Sequence, residues 1–410
     1  MGRLIPYRRG NSLGIALGVE RMDDSVALPK DTRGTKERER LRALVLRSLK
    51  EQGYDVDGPR PTPPTISSKD DLRALHAPSV AHRLERAAGE LRRYEDRLIK
   101  HIASGDEIDP ERILPELVLV TRGSHEERLF RFASLHWSIP VSSGYGRRLR
   151  FLVVDGHNGK LIGIIGLGDP VFNVGVRDRW IGWDFRARKE RLQQVMDAFV
   201  IGAVPPYSQL LMGKLVAMLL VSREFHAAFA AKYGQRISRI ANRPLADRLA
   251  LITTTSALGR SSLYNRLTFD ERLLFISAGF TEGYGEFHFT NGVYGAISRY
   301  AREVCRPTER NMLWGGGEGF RNRREVIRKS LMSLGLTSEL VYHGIQREVF
   351  VVPVASNATE YLRGQHARLR PRTHSLKQLF AHFRERWLLP RAERDQRYRD
   401  FDANSYRLWS

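Results

Sequence analysis

The most concentrated chemistry in this 410-residue chain lies where Thr253-Thr254-Thr255-Ser256 runs into Gly259-Arg260-Ser261-Ser262-Leu263-Tyr264-Asn265-Arg266. Six Ser and Thr hydroxyls and two arginines stand where a strand is expected to hand over to a short helix. Free amides at a helix start, the helix dipole and hydroxyl donors together form a natural anion site. Capping accounts for one or two of these hydroxyls but not for all of them. The pattern therefore predicts an anion- or cofactor-binding role for Thr254, Thr255, Ser256, Arg260, Ser261, Ser262, Asn265 and Arg266.

A second concentration is Arg177-Asp178-Arg179-Trp180-Ile181-Gly182-Trp183-Asp184. Asp178 or Asp184 can act as a base or orient an amine, and Arg177 with Arg179 can hold phosphate. The structural alternative is that Arg–Asp pairs pin a loop while Trp fills a gap, since such pairs perturb pKa without catalysis. A third is Gly202-Ala203-Val204-Pro205-Pro206-Tyr207, a strand–turn–helix of the kind that offers amides to a pyrophosphate, except that Pro205 and Pro206 have no N–H to give.

Other common sites fail on spacing. Gly213-Lys214 is followed by Leu215, so there is no phosphate-binding P-loop. Gly315-Gly316-Gly317-Glu318-Gly319 does not fit the dinucleotide fingerprint and reads as a loop. No zincin helix and no G-x-S-x-G elbow is present. Asp155, Asp169, Asp178 and Asp184 lack a Lys at the short spacing of a metal-dependent nuclease, so no metal site is expected.

These residues need elements to position them. Thr35 to Gln52 reads as a basic amphipathic helix, followed by the extended Gly58-Pro59-Arg60-Pro61-Thr62-Pro63-Pro64. A second helical stretch starts at Ser67 or Ser68, is interrupted at Pro78 and closes at Gly105. Leu117 to Val120 is strand-like, and Arg150–Asp155 and Lys160–Leu167 flank a hairpin turn at 156–159. Gln194 to Ala203 leads into a long helix expected from Ser208 to Tyr233. Leu249–Thr255 is a strand, Leu258–Leu267 a short helix, and Phe275–Phe280, Gly285–Phe289 and Glu348–Val354 are further strands. The order implies an α/β or α+β core. Four regions are expected: 1–64 as basic arm, helix and linker, 65–112 as helical, 113–300 as the core, and 301–410 as a strand plus a basic helical extension.

The composition, 42 % hydrophobic and 28 % charged, is that of a folded chain. The net charge is +21, and of 67 basic residues eleven are Lys, so guanidinium forks dominate. Such forks suit phosphate and carboxylate, and the excess is the electrostatic footprint of a nucleic-acid binder. The lone Cys305 excludes an internal disulfide and fits a reducing compartment. Leu210–Val221 is shorter than the ~20 residues of a membrane span, and no apolar leader follows Met1–Gly10. A cytoplasmic location is expected. Tyr361–Asp400 carries eleven Arg or Lys against four Asp or Glu, with Phe380, Trp387 and Tyr398 interleaved. These aromatics either stack on bases or anchor the extension to the core.

Trp137-Ser138-Ile139-Pro140-Val141-Ser142-Ser143-Gly144-Tyr145-Gly146-Arg147-Arg148-Leu149-Arg150, Gly168-Asp169-Pro170-Val171-Phe172 and Ile181-Gly182-Trp183 resemble the DruA family of the Druantia anti-phage system. Gly202–Tyr207, Thr254–Leu267 and Gly279-Phe280-Thr281-Glu282-Gly283-Tyr284-Gly285 continue the likeness. The resemblance implies bacterial antiviral defence beside a helicase-like partner and other Druantia components. At the level of fold, the hairpin, the strand leading into a long helix, the next strand and the Leu263–Leu267 helix look like a GNAT acyltransferase core. That likeness implies Tyr264 as general acid and acyl-CoA as a possible cofactor, with the Pro205-Pro206 turn standing where a Gly-rich amide cradle is usual.

Three readings follow. The first is a GNAT-like transferase that modifies a nucleobase or amine, with Tyr264 as acid and Asp178 or Asp184 as base. The second is a nucleic-acid-contacting subunit in which the basic surface supplies affinity. The third is a structural bridge within a multi-protein defence complex.

Overall fold

The computed structural model describes residues 32–57, 60–141, 146–237, 244–289, 291–308, 323–372 and 374–409. Most of the N-terminal arm and the Gly315–Gly319 loop lie outside these residues.

Period-2 apolar runs build a seven-stranded mixed sheet. Its strands are β1 (Pro115–Leu119), β2 (Arg148–Asp155), β3 (Lys160–Gly168), β4 (Val195–Ala203), β5 (Leu251–Thr255), β8 (Ile276–Phe280) and β9 (Glu348–Pro353), in the order β1-β2-β3-β4-β5-β9-β8. A separate small hairpin joins β6 (Thr268–Phe269) to β7 (Arg272–Leu273) through Asp270 and Glu271, both at positive φ as a tight primed turn requires. All neighbours in the large sheet are antiparallel except β4 and β5. The mixed α/β class expected from the sequence is therefore observed. The β2–β3 hairpin turns at 156–159 as expected, and the Asp155 carboxylate accepts from the N–H groups of Leu114 and His157 and from the Tyr207 hydroxyl.

Alternation sends the side chains to two faces. On one, Leu149, Phe151, Ile252, Phe350 and Val352 pack against the helices Met212–Met218, Arg223–Tyr233 and Leu376–Phe383. On the other, Leu152, Leu161, Ile164 and Val200 meet Phe130 and Phe132 of the His125–Leu135 helix. Further along that second face, Val195, Leu251 and Val351 meet Ile181 and Trp183. A fourth cluster joins Leu41, Val45 and Leu49 of the Thr32–Glu51 helix to Ile297, Ile327 and Leu331 of the helices Val293–Val304 and Arg323–Ser333. Beside this cluster is a polar seam. The buried atoms Gln52 Oε1, Tyr54 Oη, His76 Nδ1, His288 Nδ1, Asn291 Oδ1 and Arg347 Nε all lack a hydrogen-bond partner there.

Several elements differ from expectation. The Lys69–Leu91 helix continues through Pro78 after a capping box at Ser68, because its buried face of Leu72, Leu75, His76 and Ser79 holds it in place despite the missing N–H. The helix expected from Ser208 to Tyr233 is broken at Ser222, which is extended and caps the second half through Phe225 N–H. The Leu258–Leu267 helix is a single turn, Tyr264–Arg266. Phe287–Phe289 is a 3-10 turn rather than a strand. β9 falls where the sequence places a strand, and it is an interior strand between β5 and β8. No helix among the described residues is long and apolar enough to cross a membrane.

Candidate functional site

The parallel pair β4–β5 is hydrogen-bonded only from Val195↔Leu251 to Ala198↔Thr254. Beyond Ala198, β4 continues to Ala203 paired with β3 alone. The carboxyl ends of parallel strands that part from each other form the crevice in which open α/β sheets bind ligands.

Tyr264 sits at this parting point. Its ring stacks on Phe275 with centroids 4.6 Å apart and meets Phe350 edge-on at 5.2 Å. Burial pushes its hydroxyl up to about 12, against a smaller opposing effect from its hydrogen bond with Thr254. The Thr254 hydroxyl itself donates to Ala198 O at 2.9 Å.

The hydroxyl-rich run does not form one cradle. Thr253 and Thr254 are adjacent on a strand, so their side chains leave from opposite faces. Thr253 Oγ1 donates to Asp197 at 2.7 Å, on the face of Ile181 and Trp183. Asp197 lies beside the Arg177 and Arg148 guanidinium groups, yet burial dominates and raises its carboxyl. Thr255 is exposed and Ser256 is buried, with its N–H donating to Glu348 O. The Glu348 carboxylate accepts from Ser277 Oγ at 2.8 Å and from Ser261 N at 3.4 Å. Arg260, Ser262, Asn265 and Arg266 are exposed. Because the expected helix is one turn, it supplies no macrodipole to an anion at Ser261 and Ser262.

A cationic group does form, from three separate segments. The Lys214 ammonium is depressed first by burial and then by the charges of Arg266 and Arg386. It lies 5.3 Å from the centre of the Trp387 ring, and the Arg386 guanidinium lies 4.9 Å from the same ring. Arg386 also donates to Thr268 Oγ1 at 3.1 Å. Among the described residues no carboxylate pairs with Lys214, Arg266 or Arg386. Phe380 and Trp387 pack against the main core and Tyr398 is buried, so these three aromatics anchor the extension.

The Arg177–Asp184 segment lies on the other face of the sheet from Tyr264. Asp178 Oδ1 accepts from Arg177 Nε and Nη2 and from Trp183 Nε1, while Oδ2 accepts from Val174 N and Arg188 Nη1. Five donors use up the acceptor capacity of one carboxylate. Asp184 caps the helix Phe185–Arg191 through Ala187 N at 2.7 Å. Arg177 is 1 % exposed, and Arg179 is exposed and lies 3.8 Å from Glu282. Tyr264 and Thr254 are thus separated by the sheet from the Arg177–Asp184 segment, and of the hydroxyl-rich run only Thr253 reaches that side, through Asp197.

The turn after β4 was the other candidate cradle. The N–H groups of Ser208, Gln209, Leu210, Leu211, Met212 and Lys214 each donate to a carbonyl between Val204 and Leu211. With Pro205 and Pro206 lacking N–H, the turn leaves no row of free amides for a pyrophosphate, and an acyl-CoA cofactor does not fit there.

Sequence reasoning missed Lys214 and Arg386, because nothing local marks two residues so far apart as neighbours. It also passed over Asp197, an acidic residue inside an otherwise apolar strand.

The family described as Druantia protein DruA matches residues 67–364. Druantia protein DruA of Escherichia coli (strain UMEA 4076-1) is 44 % identical over 340 residues, covering 82 % of this chain and 83 % of that protein. No solved structure matches the chain.

Proposed function

Because the chain belongs to the DruA family and is thereby a component of Druantia anti-phage defence, we propose that it contacts nucleic-acid phosphate through Lys214, Arg266 and Arg386. One observation carries this reading. Lys214 and Arg386 lie 5.3 and 4.9 Å from the centre of one Trp387 ring, the Arg266 charge acts on the same Lys214 ammonium, and among the described residues no carboxylate pairs with any of the three. Like charges held together in this way repel until an anion joins them, and the net charge of +21 favours a polyanion as that partner. Other Druantia components, including the helicase-like protein the resemblance implies, would act on the same nucleic acid.

The test is a salt series of binding to duplex and single-stranded oligonucleotides, with wild type and Lys214→Ala/Arg266→Ala/Arg386→Ala. Each lost duplex phosphate contact should lower the salt slope by about 0.9. An unchanged slope in the triple variant would sink the reading.

A second reading, a GNAT-like transferase, is favoured by the place of Tyr264, whose protonated hydroxyl stands where β4 and β5 part and bonds with Thr254. The succession of hairpin β2–β3, β4, helix, β5 and the Tyr264 turn also supports it. The spent amides of the 204–212 turn count against acyl-CoA as its donor. The bridge reading predicts neither binding nor turnover.

A further inference from the structure

Val171, Phe172 and Phe185 are 69 %, 41 % and 61 % exposed, in a segment that is otherwise tightly braced. The buried Arg177 donates through Nη1 to Val171 O at 2.8 Å and through Nη2 to Phe172 O at 3.0 Å. Arg188 donates to Asn173 Oδ1 and to Asp178, and its guanidinium lies 4.8 Å from the Phe172 ring and 5.8 Å from the Phe185 ring. The two phenylalanines meet edge-on with centroids 6.0 Å apart.

A buried guanidinium and a saturated carboxylate are thus used to hold three apolar side chains out in water. Such a rigid apolar patch has already lost the conformational freedom that binding would otherwise remove, and contiguous exposed apolar surface marks interaction sites. We propose that Val171, Phe172 and Phe185 form a docking surface for another protein of the same defence system, one that presents acidic residues around an apolar side chain. The charge of the neighbouring helix argues for that occupant: beside Arg188, whose charge Asp178 meets, Phe185–Arg191 carries Arg186, Lys189 and Arg191 against Glu190, which pairs with Arg186 and leaves a net positive rim. The chemistry disfavours stacked bases, since Val171 has no π face and Arg188 already lies over Phe172. This inference rests on family membership and not on the phosphate-contact reading, whose residues are Lys214, Arg266 and Arg386.

The experiment co-expresses the full chain with the other proteins of its Druantia system and measures co-purification and affinity for each. Val171→Asp/Phe185→Asp should weaken one of these complexes at least about thirtyfold without changing the melting temperature or the salt slope of oligonucleotide binding. Arg186→Glu, at an exposed rim position, should weaken the same complex more mildly. The inference is overturned if wild type binds none of these proteins, or if the double variant binds them as wild type does. It is equally overturned if the loss appears instead in self-association of the chain or in affinity for an oligothymidylate. Phe185→Ser provides the same comparison should the double variant fail to fold.

Discussion

Arg347 Nη2 donates to His76 Nε2 across 2.7 Å, which fixes that buried imidazole as neutral with its proton on Nδ1. Its neighbours are two further imidazoles. His288 bonds Leu340 O, and His343 Nδ1 accepts from Ile345 N–H. Burial pushes His76 and His288 down to about 3, and His343 to about 4, with the Arg347 charge adding to the shift of His76 and His343.

These shifts set a direction of pH dependence. The unfolded chain binds these protons near the ordinary histidine value of 6.5 and the folded chain does not. Stability is therefore fully present above about 6.5 and falls as the pH drops toward 4, by about 1.4 kcal/mol per pH unit for each imidazole. Urea midpoints at about pH 7.5 and about pH 5 should differ strongly, and His76→Gln should make the difference smaller.

Asp178→Ala leaves the buried Arg177 guanidinium without its counter-charge. Removing one member of a buried pair costs about 3–5 kcal/mol, so chemical denaturation should show a loss of that size. A catalytic carboxylate would instead lower turnover with stability intact.

Tyr264→Phe keeps the stack on Phe275 and removes one hydrogen bond. The expected loss of stability is about 0.5–1.5 kcal/mol, with oligonucleotide affinity unchanged in a binding titration. Any transferase activity of the purified chain should disappear in this variant.

Gly105 N–H donates to Phe401 O at 2.8 Å, and a Cβ at Gly105 would fall on the carbonyls of Tyr398 and Arg399. Gly105→Ala should therefore loosen the 397–409 segment at a cost of about 1–3 kcal/mol. Trypsin should then cut at Arg397 and Arg399 faster than in wild type, while an unaltered digestion pattern would contradict the close approach.

Much of the sheet was legible because its strands are local patterns: the β2–β3 hairpin, β4 and β9 all fall where alternation and turn residues put them. The break at Ser222 was not, because a Ser within an apolar run is compatible with a continuous helix and only the pairing of Ser222 with His374 extends it. The cationic site depended on Lys214 and Arg386, which meet through packing of the C-terminal extension and leave no short-range signal. The scattering of the hydroxyls, in contrast, was readable. Once Thr253 and Thr254 are assigned to one strand, period two alone forbids them from sharing a guest. The brace at Asp178 was visible as composition but not as purpose, since a sequence does not show how many donors reach a carboxylate.

The position of β9 bears on how the chain comes to be folded during synthesis. β5 is complete at Thr255, but the strand that covers its free side begins only at Glu348. A nascent or truncated polypeptide ending between those points carries an open row of backbone donors and acceptors, the feature that templates unwanted pairing with other chains. Dividing the protein near residue 300 would therefore yield two sticky fragments rather than two working modules.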